Sequence, residues 1–187
     1  VSLDEDIRTY IPEAPDFGER ITLRHLAHHT SGLRDQWELL GMAGVRIDDV
    51  ITTDDILTLF KHQAELNFPP GSEFLYCNTG YTLLAEIVAR VTGETFHDWT
   101  RDRLFIPLGM TDTHFHDDHR RIVPGRAYSY QRVDDAYING VLSFANVGAT
   151  SLFTTVEDFA KWTHNLDTGE LGGADTIALM HEVRPLN

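Results

Sequence analysis

The stretch FPPGSEFLYCNTGYTLLAEIVARVTGETF, residues 68–96, runs from a Pro-Pro-Gly turn through a short aromatic and polar segment into an apolar helical pattern. From Thr79 to Val91, Tyr81, Leu84, Val88 and Val91 recur at helical spacing, widened by Ile87, with Thr82, Glu86 and Arg90 on the other side. That periodicity predicts an amphipathic helix. Gly93 stands where a left-handed residue would close it. Just before the helix, Tyr76 and Asn78 are two residues apart, so on an extended backbone they face one side and Cys77 the other. A phenol ionises near ~10 and is a weak base at neutral pH, but a neighbouring ammonium lets it take a proton from a serine hydroxyl. Asn78 would then hold that lysine and donate its amide N–H to a substrate carbonyl. The same two residues have a structural reading: Asn78 as N-cap of the helix, and Tyr76 as a packed aromatic with its hydroxyl satisfied.

Working outward, helices are also expected over Leu23–His29, Thr53–His62, Thr95–Phe105 and Thr155–Leu166, the last opened by Thr154 and Glu157 at capping-box spacing. Between Arg126 and Phe144, RAYSYQRVDDAYINGVLSF is rich in aromatic and branched residues and holds an Asp-Asp and an Asn-Gly. It predicts one or two short strand pairings. No repeat, low-complexity run or long linker divides the chain, so it reads as one unit.

The 187 residues carry 15 basic and 29 acidic side chains, a formal charge of −14. Such a surface repels phosphate backbones, so no nucleic-acid partner is expected. No window approaches the ~20 apolar residues of a membrane span, and VSLDEDIRTY has neither the basic start nor the apolar run of a signal peptide. The opening reads as a cut made inside a longer protein. Cys77 is the single cysteine, which excludes an internal disulfide.

LDEDIRTYIPE, ITLRHLAHHTSGL, the 68–96 stretch, LFIPLGMTDTHF and GATSLFTTVEDFAKW, in this order and spacing, resemble the serine β-lactamase and penicillin-binding-protein family, especially its β-lactamase-related hydrolase and esterase branch. The resemblance covers nearly the whole chain. It implies that Tyr76 is the general base or proton shuttle and Asn78 the contact to lysine and substrate, beside a Ser-x-x-Lys nucleophile and opposite a Lys-Thr-Gly or His-x-Gly strand. It implies no cofactor, a β-lactam, D-amino acid peptide or ester substrate, and an extracytoplasmic location. The chain departs from the pattern in lacking all of the partner motifs: the residues three after its six serines are Glu5, Arg34, Leu75, Arg132, Asn146 and Thr154, and its only lysines are Lys61 and Lys161.

The expected fold is therefore mainly α with a small antiparallel β element. It corresponds to the helical domain of the β-lactamase/transpeptidase-like α/β fold without most of the central sheet, with residues 1–187 as a single partial domain. Apolar surface left by the missing sheet would favour self-association. On this reading the isolated chain is inert.

Three other readings stand beside it. THFHDDH, residues 113–119, matches the His-x-His-x-Asp-His zinc signature, with His114, His116, Asp118 and His119 as ligands. It follows a loop-like segment instead of an apolar strand, and only His164 and His181 remain downstream, so a catalytic zinc pair is not expected. His29 and Ser31 are close in sequence, but adjacency supplies neither the aim nor the orienting third group of a catalytic pair. The last reading is a non-catalytic binding or assembly module.

Overall fold

The computed structural model describes residues 1–140, 142–183 and 186. After a 3-10 turn at Ile7–Thr9, α1 spans Leu23–Ala27, where Thr22 accepts from the His25 N–H and the His25 ring accepts from Thr22 in return. α1 is shorter than expected because His29 takes a left-handed φ of 57° and turns the chain away. α2, Gln36–Met42, has no counterpart in the sequence expectations; Asp35 caps it through the Trp37 N–H. A short strand β1, Val50–Thr52, leads directly into α3, Thr53–Lys61, which Thr52 and Asp55 cap reciprocally.

α4, Asn78–Thr92, ends as expected on a left-handed Gly93. Its buried face differs from the expected stripe. Thr79, Gly80, Thr82, Leu83, Ala85 and Ile87 are buried, while Tyr81 and Val91 are partly exposed. The reason is that α4 is packed by α1, α2 and α3 on more than one side. Thr82 is fully enclosed because its hydroxyl has a partner, donating to Gln36 Oε1 at 2.9 Å. Gly80 lets α1 come close, since a Cβ there would sit 3.1 Å from the Leu26 carbonyl oxygen. Ile7, Ile11, Ile21, Leu26, Leu33, Phe60, Leu83 and Ile87 fill the space between these helices. Leu40, Ile51 and Ile56 form a smaller second core under α2 and α3.

α5, Phe96–Thr100, passes into a π-helical turn at Arg101–Phe105 in place of one uninterrupted helix. Three two-stranded pairings follow, and no larger sheet occurs among the described residues. β2, His114–Phe115, pairs antiparallel with β6, Leu152–Phe153. β3, Tyr130–Val133, and β4, Ala136–Asn139, form the expected hairpin. Its turn is Asp134–Asp135, with Asp134 at a φ of 53°, and not the Asn139–Gly140 pair. Val141 of that run lies outside the described residues. β5, Ser143–Ala145, pairs parallel with β1. α6, Val156–Thr168, is capped one residue later than expected, by Thr155 accepting from Asp158 N. α7, Gly173–Met180, was also not anticipated.

Candidate active site around Tyr76 and Asn78

Residues 76–78 alternate as the extended reading requires. Tyr76 is 61% exposed, Cys77 only 3%, and Asn78 is half-buried. The segment is fastened to the turn after α1 from several directions. The Leu75 N–H donates to the His29 carbonyl at 3.0 Å, and the Cys77 N–H donates to His29 Nδ1 at 3.1 Å. Cys77 Sγ reaches the Leu33 carbonyl at 3.4 Å, and the Thr79 hydroxyl donates to the Arg34 carbonyl at 2.8 Å. Gly32, at a φ of 72°, allows the Phe68 carbonyl to lie where a Cβ would stand, so the 68–78 run can close against residues 29–35.

His29 is the centre of an aromatic group. Its ring lies 4.5 Å from that of Tyr76 and 5.1 Å from that of Tyr81, with Phe74 edge-on at 5.9 Å. Because Nδ1 accepts from Cys77, the neutral ring carries its proton on Nε2. Burial, more than any charge, lowers the His29 pKa and keeps the ring neutral, while Asp35 acts the other way. Tyr81 donates its hydroxyl to the Ala27 carbonyl at 3.1 Å, and burial raises its pKa. Burial likewise pushes the Cys77 thiol up, so it is not a ready nucleophile.

Asn78 is not the N-cap of α4. It is the first helical residue, and Cys77 at the cap position makes no side-chain bond to the helix. Capping comes instead from another element: Asp35 Oδ2 accepts from the Asn78 N–H at 2.5 Å and from Asn78 Nδ2 at 2.8 Å. Asp35 Oδ1 accepts from Trp37 N at 2.9 Å, so one carboxylate serves the N-termini of α2 and α4 together. Asn78 is thereby held in one orientation. Its second amide N–H and its carbonyl oxygen are left for other partners. Sequence reasoning missed Asp35, although an Asp before GlnTrpGluLeuLeu is a helix-start signal.

Ser31 and His29 do not form a couple. Ser31 is buried with its oxygen accepting from the Leu33 N–H at 3.3 Å, and His29 Nδ1 is already engaged. Both lysines are occupied elsewhere, Lys61 with Glu13 at 3.6 Å and Lys161 with Asp158 at 2.8 Å.

The histidine motif does not assemble as a metal centre. Asp118 is bound by Arg120 at 2.9 and 3.1 Å, which holds its carboxyl far below the usual range, and His119 is exposed. His114 Nε2 and His116 Nδ1 are 3.3 Å apart, and Arg121 lies against His97 at 3.2 Å. Among the described residues, no group of three or more His, Cys, Asp or Glu side chains could hold a metal ion.

The helical layer that carries the Tyr76–Asn78 segment has a β-lactamase/transpeptidase-like fold. The Beta-lactamase family profile matches residues 1–186, and the chain belongs to that family. It is 33% identical to D-aminopeptidase of Brucella anthropi over 108 residues, which are 58% of this chain and 20% of that relative. The penicillin binding protein of Bacillus halodurans superposes with a TM-score of 0.83 at 26% identity, covering the whole of this chain and 58% of that one. The D-amino acid amidase of Ochrobactrum anthropi SV3, in complex with L-phenylalanine, gives 0.76 at 27% identity, covering 95% and 51%. The chain thus spans about a fifth of its first curated relatives and little over half of these structures. No described helix is long and apolar enough to cross a membrane.

Proposed function

We propose that residues 1–187 supply the Tyr-x-Asn half of a serine hydrolase active site that works through an acyl-enzyme. The Ser-x-x-Lys pair and the facing strand come from the remainder of the full-length protein. The observation that carries this reading is the exposed Tyr76 beside an Asn78 fixed by Asp35. In this arrangement the Tyr76 oxygen takes the serine hydroxyl proton as the serine oxygen attacks the substrate carbonyl. It then returns the proton to the leaving amine or alkoxide. The free N–H of Asn78 donates to the substrate carbonyl or side-chain amide, while the other N–H stays on Asp35. The names of the relatives favour amides and short peptides of D-amino acids, with esters and β-lactams as chemically related acyl donors.

A fluorophosphonate or fluorescent penicillin tests this. It should label the full-length protein on a serine outside residues 1–187, and Tyr76→Phe should slow acylation by ~10²-fold or more with folding intact. Labelling of a serine within 1–187, or an unchanged rate in Tyr76→Phe, would refute the assignment.

A further inference from the structure

A pocket whose lining includes none of residues 76–78 lies between the β2–β6 pair and the Leu142–Phe144 segment. It encloses about 200 Å³ and is lined by His116, His119, Arg126, Leu142, Phe144 and Phe153. His116 is 97% buried by its 3% exposure, and its Nε2 has no hydrogen-bond partner among the described residues. A buried polar atom of that kind normally has one. Its other ring nitrogen, Nδ1, meets His114 Nε2 at 3.3 Å, and the His116 backbone N–H donates to the Ser151 carbonyl at 2.7 Å. The ring is therefore fixed in place with one nitrogen uncommitted.

Arg126 stands over the Phe153 ring at 4.8 Å and near that of Tyr128 at 5.2 Å, and the His116 ring packs on the same Phe153 at 4.7 Å. Arg126 is in no ion pair with the described residues. Of the carboxylates flanking His116, Asp117 is paired with Arg121 at 3.2 Å and Asp118 with Arg120 at 2.9 Å. Arg126 and His116 thus share the Phe153 ring, and a guanidinium outside any described ion pair lines the same pocket as a histidine with an unpartnered ring nitrogen, in a chain of charge −14.

We propose that this pocket binds a small monocarboxylate with an apolar body. The Arg126 guanidinium takes the carboxylate, His116 Nε2–H donates to one of its oxygens, and Leu142, Phe144 and Phe153 cover the rest. The tautomer is consistent with the neighbouring contact. If His114 Nε2–H donates to His116 Nδ1, the His116 proton sits on Nε2, the nitrogen that lacks a partner. Guanidinium and carboxylate match in a paired, charge-assisted geometry. A metal cation is disfavoured by Arg126 itself, and phosphate would leave the apolar walls against its oxygens.

Benzoate, benzamide and inorganic phosphate titrated into the full-length protein test the proposal, read by the ¹⁵N shift of His116 Nε2 and by calorimetry. Benzoate should bind saturably in the millimolar range or tighter, and phosphate and the uncharged benzamide each at least about ten-fold more weakly. Arg126→Ala should weaken benzoate by at least about ten-fold, and Arg126→Lys, which keeps the charge and guards against a folding artefact, by less. Absence of a saturable benzoate shift, equal binding of benzamide or phosphate, or full retention in Arg126→Ala would overturn it.

Discussion

Asp35→Ala tests the claim that one carboxylate organises both helix starts beside the candidate site. The substitution removes the bond from Trp37 N at 2.9 Å and the two from Asn78, at 2.5 and 2.8 Å. Loss of the α2 cap costs about 1 kcal/mol. Loss of a charged acceptor for the Asn78 pair costs about 1.5–3 kcal/mol, reduced because Asp35 is only half-buried and water can replace part of it. Removing a negative charge from two helix N-termini adds a few tenths, for a total of about 3 kcal/mol. In a chain of this size that lowers Tm by about 6–12 °C. Asn78→Ala, which keeps its N–H on Asp35, should cost only about 1 kcal/mol. Because the two residues share a bond, the double variant should fall short of the sum by about 1 kcal/mol in urea-unfolding measurements. An Asp35→Ala variant within about 0.5 kcal/mol of wild type, or strict additivity with Asn78→Ala, would refute the shared-cap account.

Acid should destabilise the fold through its buried and half-buried histidines. Burial lowers the pKa of His25, His29, His114 and His116 below the ordinary 6.5, so below that pH the unfolded chain gains protons that the folded one refuses. Stability is therefore intact above 6.5 and falls as pH drops towards the folded values; His29→Gln should flatten part of that fall in chemical denaturation from pH 7 to 5, and an unchanged slope would contradict it. Asp158 is 1% exposed, and although burial would raise its pKa, bonds from Lys161, Thr113 and the Asp112 N–H hold it low. Asp158→Ala should cost about 3 kcal/mol by leaving these donors unpaired, readable as a lower urea midpoint. Gly148→Ala should cost roughly 3 kcal/mol, because at a φ of 96° its Cβ would press on the Tyr81 carbonyl and sit 2.7 Å from Ala85 Cβ. Native Cys77 should resist iodoacetamide and react fully once unfolded; rapid native alkylation would mean that its pocket opens.

The length and ends of α4 were legible because apolar periodicity and a C-terminal glycine are local signals, and Asn78–Thr92 agrees with Thr79–Val91 to within a residue. Its buried face was not. A helix packed on several sides has no single stripe, and enclosure of Thr82 depends on Gln36, 46 positions away. The β3–β4 hairpin was legible from its aromatic and branched run, but its turn was open between two dipeptides, and Asp134 took the left-handed position. β1–β5 and β2–β6 were invisible because strands of two or three residues are selected by partners distant in sequence, such as Val50 and Ser143. The register of the α6 cap slipped by one because Thr154 and Thr155 are both acceptable, and the choice was settled by Thr113, whose hydroxyl meets Thr154 at 2.8 Å.

The candidate site shows the same division between local and distant causes, with a consequence for chemistry. From the sequence, Asn78 had two competing tasks, capping α4 or contacting a substrate, and one amide does not readily serve both. Asp35 removes the conflict by doing the capping from α2, at the cost of one of the two Asn78 N–H groups. What remains on Asn78 is one donor and one acceptor on a side chain held by Asp35, the pair that the proposed contacts to a lysine ammonium and a substrate carbonyl would use. Tyr76 is placed by similar means: its backbone neighbours are bonded to His29, and its ring leans on the His29 imidazole while its surface stays open. On the proposed reading, bonded backbone under an open phenol suits a proton-transfer group, because its reach must be fixed before a reacting serine arrives.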